Sequence, residues 1–417
     1  MNRNLRLLGV GVALRMLGNA LYFPFLALFL VNELHVGYLE VGGIITGVGL
    51  LQLPFTLFGG AFADRLERLH LILVGLAAEA AGTGGLAYAF ALHSLVLAVT
   101  TAAVTGSVTS FAGPASSAYI ADFAEGSERT RGFTFYRIGF NAGYSAGVTL
   151  GGLLVTSLGF AGAVAVAATI LGGGCAFLAF ALDPSPRDLA RRGAAGSLPG
   201  PPSSSHEAKP SPSVGASLSL LRKDRVALEL LVAFLLAALV AGQWGVTFPL
   251  YVHNVLGISY ALLGVGLALN GLVVVFGQTA TTESVIGRRH TSIAVWGLGL
   301  YVLAFLGLAA AGLLHAFPTL AFFAAVVVLT IGENLITIPQ ATLPSNIAPK
   351  DEIGAYNGAF GTVGGLGFVV SVLIGGVTLS WTSNPLVIWL LLVAPAIPAV
   401  VLLRHASRRL SLEVDRA

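Results

Sequence analysis

Apolar segments of about 20 residues, the length that crosses ~30 Å of hydrocarbon, recur along the whole chain between short polar connections. They predict helices near 5–31, 38–63, 70–91, 95–121, 132–157, 160–182, 226–250, 258–283, 291–314, 317–342, 354–379 and 385–403, twelve spans in all. Residues 183–217 break the pattern with Pro, Ser and Gly and no apolar period, which reads as a flexible linker. The expected organisation is a six-helix bundle over 1–182, a linker over 183–225 and a second six-helix bundle over 226–417. The first apolar run follows Arg3 and Arg6 as a signal peptide would, but it is too long for a signal h-region and further spans follow, so it is expected to stay as span 1.

Composition agrees with the pattern. Only 10% of residues are charged, 56% are apolar and the mean hydropathy is +0.86, too few charges to cover a water-exposed surface of ordinary size. The 53 glycines suit membrane helices that pack closely through small residues. The single cysteine, Cys175, lies in an apolar run and reads as a small core residue, so disulfides and cysteine metal sites are excluded.

The net charge of +3 acquires meaning through its positions. Arg3 and Arg6 precede span 1, Arg65 and Arg68 follow span 2, Arg129 and Arg131 follow span 4, Arg288 and Arg289 follow span 8, and Lys350 follows span 10. The linker and the tail are also basic, whereas the intervening connections such as "NELHVG" and "LHAFP" carry no Lys or Arg. Basic residues in every second connection place both termini in the cytoplasm and make the excess a matter of topology, not of nucleic-acid binding.

The two halves carry a faint repeat. The segment from Pro114 can be laid on the segment from Pro339, so that Asp122 falls on Asn346, Glu128 on Glu352, Gly143 on Gly367 and Gly151-Gly152 on Gly375-Gly376. "DRLERLH" after span 2 likewise matches "SVIGRRH" after span 8. Order, spacing and topology together indicate two related six-span halves.

The turn "GGAFADRLERLH" after span 2 concentrates charge in a chain that avoids it. Gly60, Asp64, Arg65 and Arg68 resemble the signature G-x-x-x-D-R/K-x-G-R-R/K of the major facilitator superfamily, with Glu67 where that family prefers Gly and Leu69 where it prefers a base. The resemblance implies an all-α membrane fold of twelve transmembrane helices in two pseudo-symmetric six-helix bundles. Gly60 would let span 2 approach a neighbour closely, Asp64 would face the positive end of a helix such as span 11, and Arg65 and Arg68 would pair with Asp122 or Glu125. Such a latch, closing the cytoplasmic seam between the halves, is expected to bias which side opens. In span 5, "GYSAGVTLGG" resembles the G-x-x-x-G-P-x-x-G-G of the superfamily's proton-coupled exporters through Gly143, Gly147, Gly151 and Gly152, with Val148 in place of Pro. The alternative reading of these glycines is helix packing alone. Pro114, Asp122, Arg131 and Tyr136-Arg137 also resemble the exporter branch.

Charges deep in the bilayer cost about 2.5–3.5 kcal/mol each on insertion scales and need a reason. Arg15 lies inside span 1, Glu79 midway in span 3, Glu333 midway in span 10, and Arg137 one to two turns into span 5. The resemblance implies that spans 1, 4, 7 and 10 line a central cavity, which puts Arg15 and Glu333 on the transport path. Glu333 is the first candidate for a proton-carrying carboxylate, with Glu79 and Asp122 behind it; Glu79 is expected above all to pair with Arg15, and Arg137 to reach the surface or join Asp122. Asn19 and Tyr22 follow Arg15 on one helix face. With Gln243, Trp244, Asn270, Gln278, Asn334 and Asn357 they are candidates to line a mostly apolar cavity suited to lipophilic or amphipathic substrates.

No G-x-x-x-x-G-K-[ST], H-E-x-x-H or G-x-S-x-G motif occurs and the eight histidines are scattered, so neither an ATPase, an enzyme, a metal nor a cofactor is expected. The chain reads as a monomeric, multi-pass protein of the cell (inner) membrane. Its partners are expected to be the lipid bilayer, a small-molecule substrate and protons, and its work proton-coupled efflux by alternating access. A uniporter or importer of a polar solute, or a lipid transporter of the same fold, is the alternative, and a membrane-embedded enzyme or a receptor the remote one.

Overall fold

Every predicted span has a helical counterpart. The computed structural model describes residues 2–416 apart from 111, 125, 190–223, 350 and 351, and describes the backbone alone for 56–65, 112, 114, 126, 127 and 130. Span 1 consists of α1 (Arg3–Ala20) and α2 (Leu26–Asn32), and spans 2 and 3 are α3 (Tyr38–Arg65) and α4 (Arg68–Ala91). Span 4 comprises α5 (Leu95–Thr109) and α6 (Ala112–Phe123), and α7 (Gly126–Ala181) holds spans 5 and 6. Span 7 comprises α8 (Arg225–Ala241) and α9 (Thr247–Asn254), followed by α10 (Tyr260–Val285), α11 (His290–Leu314), α12 (Pro318–Ile347) and α13 (Ile353–Trp381). Span 12 is α14 (Pro385–Val393) with α15 (Ala396–Arg409). Ten helical stretches among the described residues are long and apolar enough to cross a membrane, and one of them, Arg131–Ala181, accommodates two predicted spans.

Three spans expected to be continuous are interrupted at described residues. Short 3-10 turns at Phe23–Phe25 and Gly242–Trp244 split spans 1 and 7. Pro24 lies within the first, and Pro249 lies in the first turn of α9 after the second, where its missing N–H leaves no α-helical bond back to Gly245. Pro395 separates α14 from α15 in the same way. An "FP" pair accompanies each of the breaks in spans 1 and 7, Phe23-Pro24 within the 3-10 turn of span 1 and Phe248-Pro249 in the first turn of α9, a further trace of the repeat. Within α7 the chain turns at Gly159, where φ 69° and ψ 177° belong to a region open in practice to glycine alone.

Two units group by proximity: Met1–Val36 with Gly47–His206 and Tyr260–Gly271, and Gly37–Thr46 with Glu207–Ser259 and Leu272–Ala417. Two short stretches therefore associate across chain order. In the second unit, Gly42 on α3 lies against the backbone of α13 at Gly376, and Thr46 donates to the Val369 carbonyl at 3.1 Å. In the first unit, Gly264 on α10 abuts the Val148 backbone of α7.

The first unit is organised on the α1–α7 crossing. Gly139, Gly143, Gly147 and Gly151 fall every fourth residue and form one stripe on α7. A Cβ at these positions would collide with the carbonyls of Gly9, Ala13, Leu17 and Leu21 respectively. Gly152 looks the other way, onto the Tyr260 carbonyl of α10. Below the crossing, Leu5, Leu8, Ile72, Leu76, Tyr119 and Leu178 pack as an apolar core. In the second unit the ring of Trp389 stacks on Phe305 at 4.5 Å and meets the edge of Tyr251, whose hydroxyl donates to the Leu308 carbonyl at 3.1 Å.

The start of the expected flexible linker is folded. Asp183 accepts from Arg3 at 2.9 Å and from the Asn4 side chain at 3.2 Å. Asp188, 1% exposed, accepts from the backbone N–H groups of Arg68 and Leu69 at the start of α4, at 3.2 and 3.5 Å. The tail repeats the device: Asp415, fully buried, accepts from the Thr291 N–H at 2.9 Å and its hydroxyl at 2.7 Å at the start of α11, and its own carbonyl accepts from the His290 N–H. In both halves, the chain leaving the sixth helix turns back and sets an aspartate on the positively polarised start of the third. Asp415→Ala is expected to cost about 2–3 kcal/mol, a helix cap plus a buried hydroxyl left without its acceptor. Thermal unfolding of the purified protein in detergent measures it, and an unchanged transition contradicts the capping role.

Candidate functional site

Arg15 stands twelve residues after the start of α1 at Arg3, and Glu79 eleven after the start of α4 at Arg68. Both helices begin at a basic end, so at 1.5 Å per residue the two side chains lie at nearly the same depth, ~16–18 Å along their helices. They meet there. Arg15 Nε donates to Glu79 Oε2 at 2.6 Å and Nη2 to Oε1 at 3.2 Å, a two-point contact of side chains only 18% and 7% exposed. Asn19, one turn further along α1, donates through Nδ2 to Glu79 Oε1 at 2.7 Å and to the Arg15 carbonyl at 3.2 Å. Tyr22 and Tyr136 stand within electrostatic reach of Arg15. A cavity of ≈ 10 Å³ borders Arg15, Gly11, Ser116 and Leu178, close to the smallest that holds a single water.

This arrangement can do two things chemically. The Arg15 guanidinium and the Glu79 carboxylate face each other at two points, so neither stands alone in an apolar surrounding where an isolated charge is expensive. The contact also ties α1 to α4, so a change at either side chain bears on the packing of the two helices. Among the described residues no group of three His, Cys, Asp or Glu stands close enough to hold a metal ion.

The remaining sequence candidates sort by what they touch. Gln243, expected in a cavity, is 1% exposed: its Nε2 donates to the Leu239 and Ser371 carbonyls at 3.0 Å each, and its Oε1 accepts from Thr247 at 2.6 Å. Asn334, also 1% exposed, donates to the Val273 carbonyl at 3.4 Å. Both are buried and turned onto backbone carbonyls of packed helices. Trp244 packs on Phe248 with centroids 4.5 Å apart, Asn270 is buried on α10, and Asn357 exchanges hydrogen bonds with Ser345. Glu333 is half-buried on α12, next to Gly332, where α12 crosses α11 at Gly297 and Tyr301. It lies within electrostatic reach of the buried Tyr301.

Of the charged turn, the side chains of Gly60, Asp64 and Arg65 lie outside the described residues, as does Glu125. Arg68, 5% exposed, donates through Nε to Asp122 Oδ2 at 2.8 Å. Both residues belong to the first unit, so this ion pair ties α4 to α6 and does not cross a seam between halves, as a latch would have to. Arg137 is exposed, and the partner of Asp122 is Arg68. Gly143, Gly147 and Gly151 pack on α1, and Gly152 on α10.

A family model described as Major Facilitator Superfamily matches residues 8–372 of this chain, and the chain belongs to that superfamily. It is similar to two Bacillus subtilis (strain 168) proteins. The uncharacterized MFS-type transporter YttB is 26% identical over 384 residues, covering 90% of this chain and 88% of that one. The uncharacterized MFS-type transporter YhjO is 27% identical over 393 residues, covering 93% and 89%. Among solved structures, a POT family transporter in complex with 5-aminolevulinic acid aligns with a TM-score of 0.75 at 14% identity, over 99% of this chain and 97% of that chain. The nucleoside transporter NupG aligns with a TM-score of 0.71 at 14% identity, over 98% and 99%. These likenesses show the fold. The protein is a multi-pass membrane transporter of the major facilitator type.

Proposed function

We propose that this transporter exports small lipophilic or amphipathic compounds in exchange for protons, with Glu79 as the proton-carrying group. The observation that carries the reading is the two-point Arg15–Glu79 contact, completed by Asn19, about 16–18 Å into the membrane. A buried charge pair is a poor source of stability compared with an apolar pair of the same volume, so retaining one there argues for a working role. Protonation of Glu79 would release Arg15 and shift the balance between the two access states. Glu333 is the second carboxylate at membrane depth and would serve the other half. Asp122, engaged by Arg68, takes a positioning role. Bias between states then falls to Gly60, Asp64 and Arg65.

The protein would act as a monomer in the cell membrane with both termini and the basic connections in the cytoplasm. Import or facilitated passage of a polar solute is the second reading. The solved structures that share the fold include transporters of peptides and nucleosides, and Arg15 with Glu79 could greet a zwitterion. Purified protein in proteoliposomes under an imposed pH gradient separates the two. Uptake of lipophilic cations or neutral drugs driven by protons leaving the lumen supports export; gradient-driven movement of dipeptides or nucleosides with no response to the lipophilic panel supports the second reading and overturns the first.

A further inference from the structure

Away from the Arg15–Glu79 cluster, a groove of ≈ 350 Å³ lies between α11 and α15, lined by Ser292, Val295, Trp296, Gly299, Leu403, Arg404 and Ser407 with Thr291 at its floor. It combines three chemistries in order along the helices. At the basic end stand the guanidinium of Arg404 and the hydroxyls of Ser292 and Ser407. Next comes Trp296, 69% exposed, the residue type that anchors at the headgroup level of a bilayer. Beyond them the outer faces of both helices are apolar and open, with Leu303 59%, Val401 61% and Ile397 71% exposed.

The charges around the groove leave a cation available. Asp415 is taken up by Thr291 and approached by Arg289 at 3.6 Å, and Arg289 also donates to Ser407 at 2.7 Å. Glu229 accepts from His405 at 2.9 Å and Arg409 at 3.2 Å. Arg404 is exposed and makes no ion pair with a described residue, and the exposed Arg408 adds to the excess on the same helix. Gly299 opens the middle of the groove: a Cβ there would meet nothing within 4 Å.

We infer that this groove binds one anionic phospholipid, its phosphate held by Arg404 and the Ser292 hydroxyl, since Ser407 already donates to Asp415, its backbone beside Trp296, and an acyl chain laid past Gly299 along Val401 and Ile397. Basic pockets between transmembrane helices at the cytoplasmic face are where phosphate-bearing lipid headgroups are recognised. On the orientation proposed above, the lipid belongs to the inner leaflet.

Native mass spectrometry of the full chain, equilibrated in micelles holding equal phosphatidylglycerol and phosphatidylcholine, tests the site. Wild type is expected to retain one phosphatidylglycerol in preference to phosphatidylcholine. Arg404→Glu should reduce that occupancy at least about fivefold, the effect of a single interfacial charge or more, while Arg404→Lys retains it. Gly299→Leu, which fills open space and keeps the helix, should reduce it as well, and soluble glycerol phosphate should not compete. Equal retention of the two lipids, unchanged retention in both Arg404→Glu and Gly299→Leu, or displacement by glycerol phosphate would overturn the proposal.

Discussion

Arg15→Leu is expected to lower the stability of the protein by about 3–5 kcal/mol, because it leaves Glu79 as an uncompensated charge in the membrane interior. The side chain of Glu79 is 7% exposed, and without Arg15 the Asn19 amide is what remains hydrogen-bonded to it among the described residues. The double variant Arg15→Leu with Glu79→Leu should recover most of the loss, since a buried ion pair replaced whole by apolar residues of similar volume is close to neutral. Melting transitions of the two single variants and the double variant in detergent form the cycle that isolates the pair. A double variant as unstable as Arg15→Leu would mean that Arg15 supports the fold through something other than Glu79. If the account is correct, the double variant folds and does not move protons.

The second large effect concerns the glycine stripe. At Gly147 an added Cβ would lie 2.5 Å from the Leu17 carbonyl and 2.7 Å from the Ala20 Cβ, atoms of α1 that cannot rotate away. Gly147→Leu must therefore push α1 off α7, where it also carries Arg15 toward Glu79, and an overpacked contact of backbone on backbone exceeds the ordinary range of about 0.5–3 kcal/mol for point changes. Loss of the folded, monodisperse protein is expected on size-exclusion chromatography. At Gly173, exposed on the same helix, an added Cβ would meet nothing within 4 Å, and Gly173→Leu should purify as wild type. Equal behaviour of the two variants would contradict the crossing as described.

The spans were legible because a membrane helix announces itself by length and hydropathy, and the Gly143–Gly151 spacing was legible because glycine at every fourth residue makes one face. The Arg15–Glu79 pair was legible too: equal depth from two basic helix starts needs only the rise per residue. For Gln243 and Asn334 the sequence left cavity lining and helix packing both open, because a polar side chain in an apolar run looks the same whether it faces a cavity or a neighbouring carbonyl; the structure supplies Ser371 and Val273 as carbonyls they reach. Asp188 and Asp415 were missed because their surroundings, "SPRDLARR" and "SLEVDRA", have no apolar period. A signal existed in their placement, since each follows the end of its half's last helix by about two turns' worth of chain and faces the matching helix start. The interruptions at Phe23–Phe25 and Gly242–Trp244 were written in Pro24 and Pro249, whose effect on a helix is local and known in advance.

The most direct test of the central claim is substrate-evoked proton movement across proteoliposomes holding wild type, Glu79→Gln or Glu333→Gln. Binding of each active compound is measured in parallel on the same preparations. The account predicts that Glu79→Gln still binds the compound and no longer moves protons in response, while Glu333→Gln keeps at least part of the response. Undiminished proton movement in Glu79→Gln would contradict the account and remove the Arg15–Glu79 pair from the transport cycle.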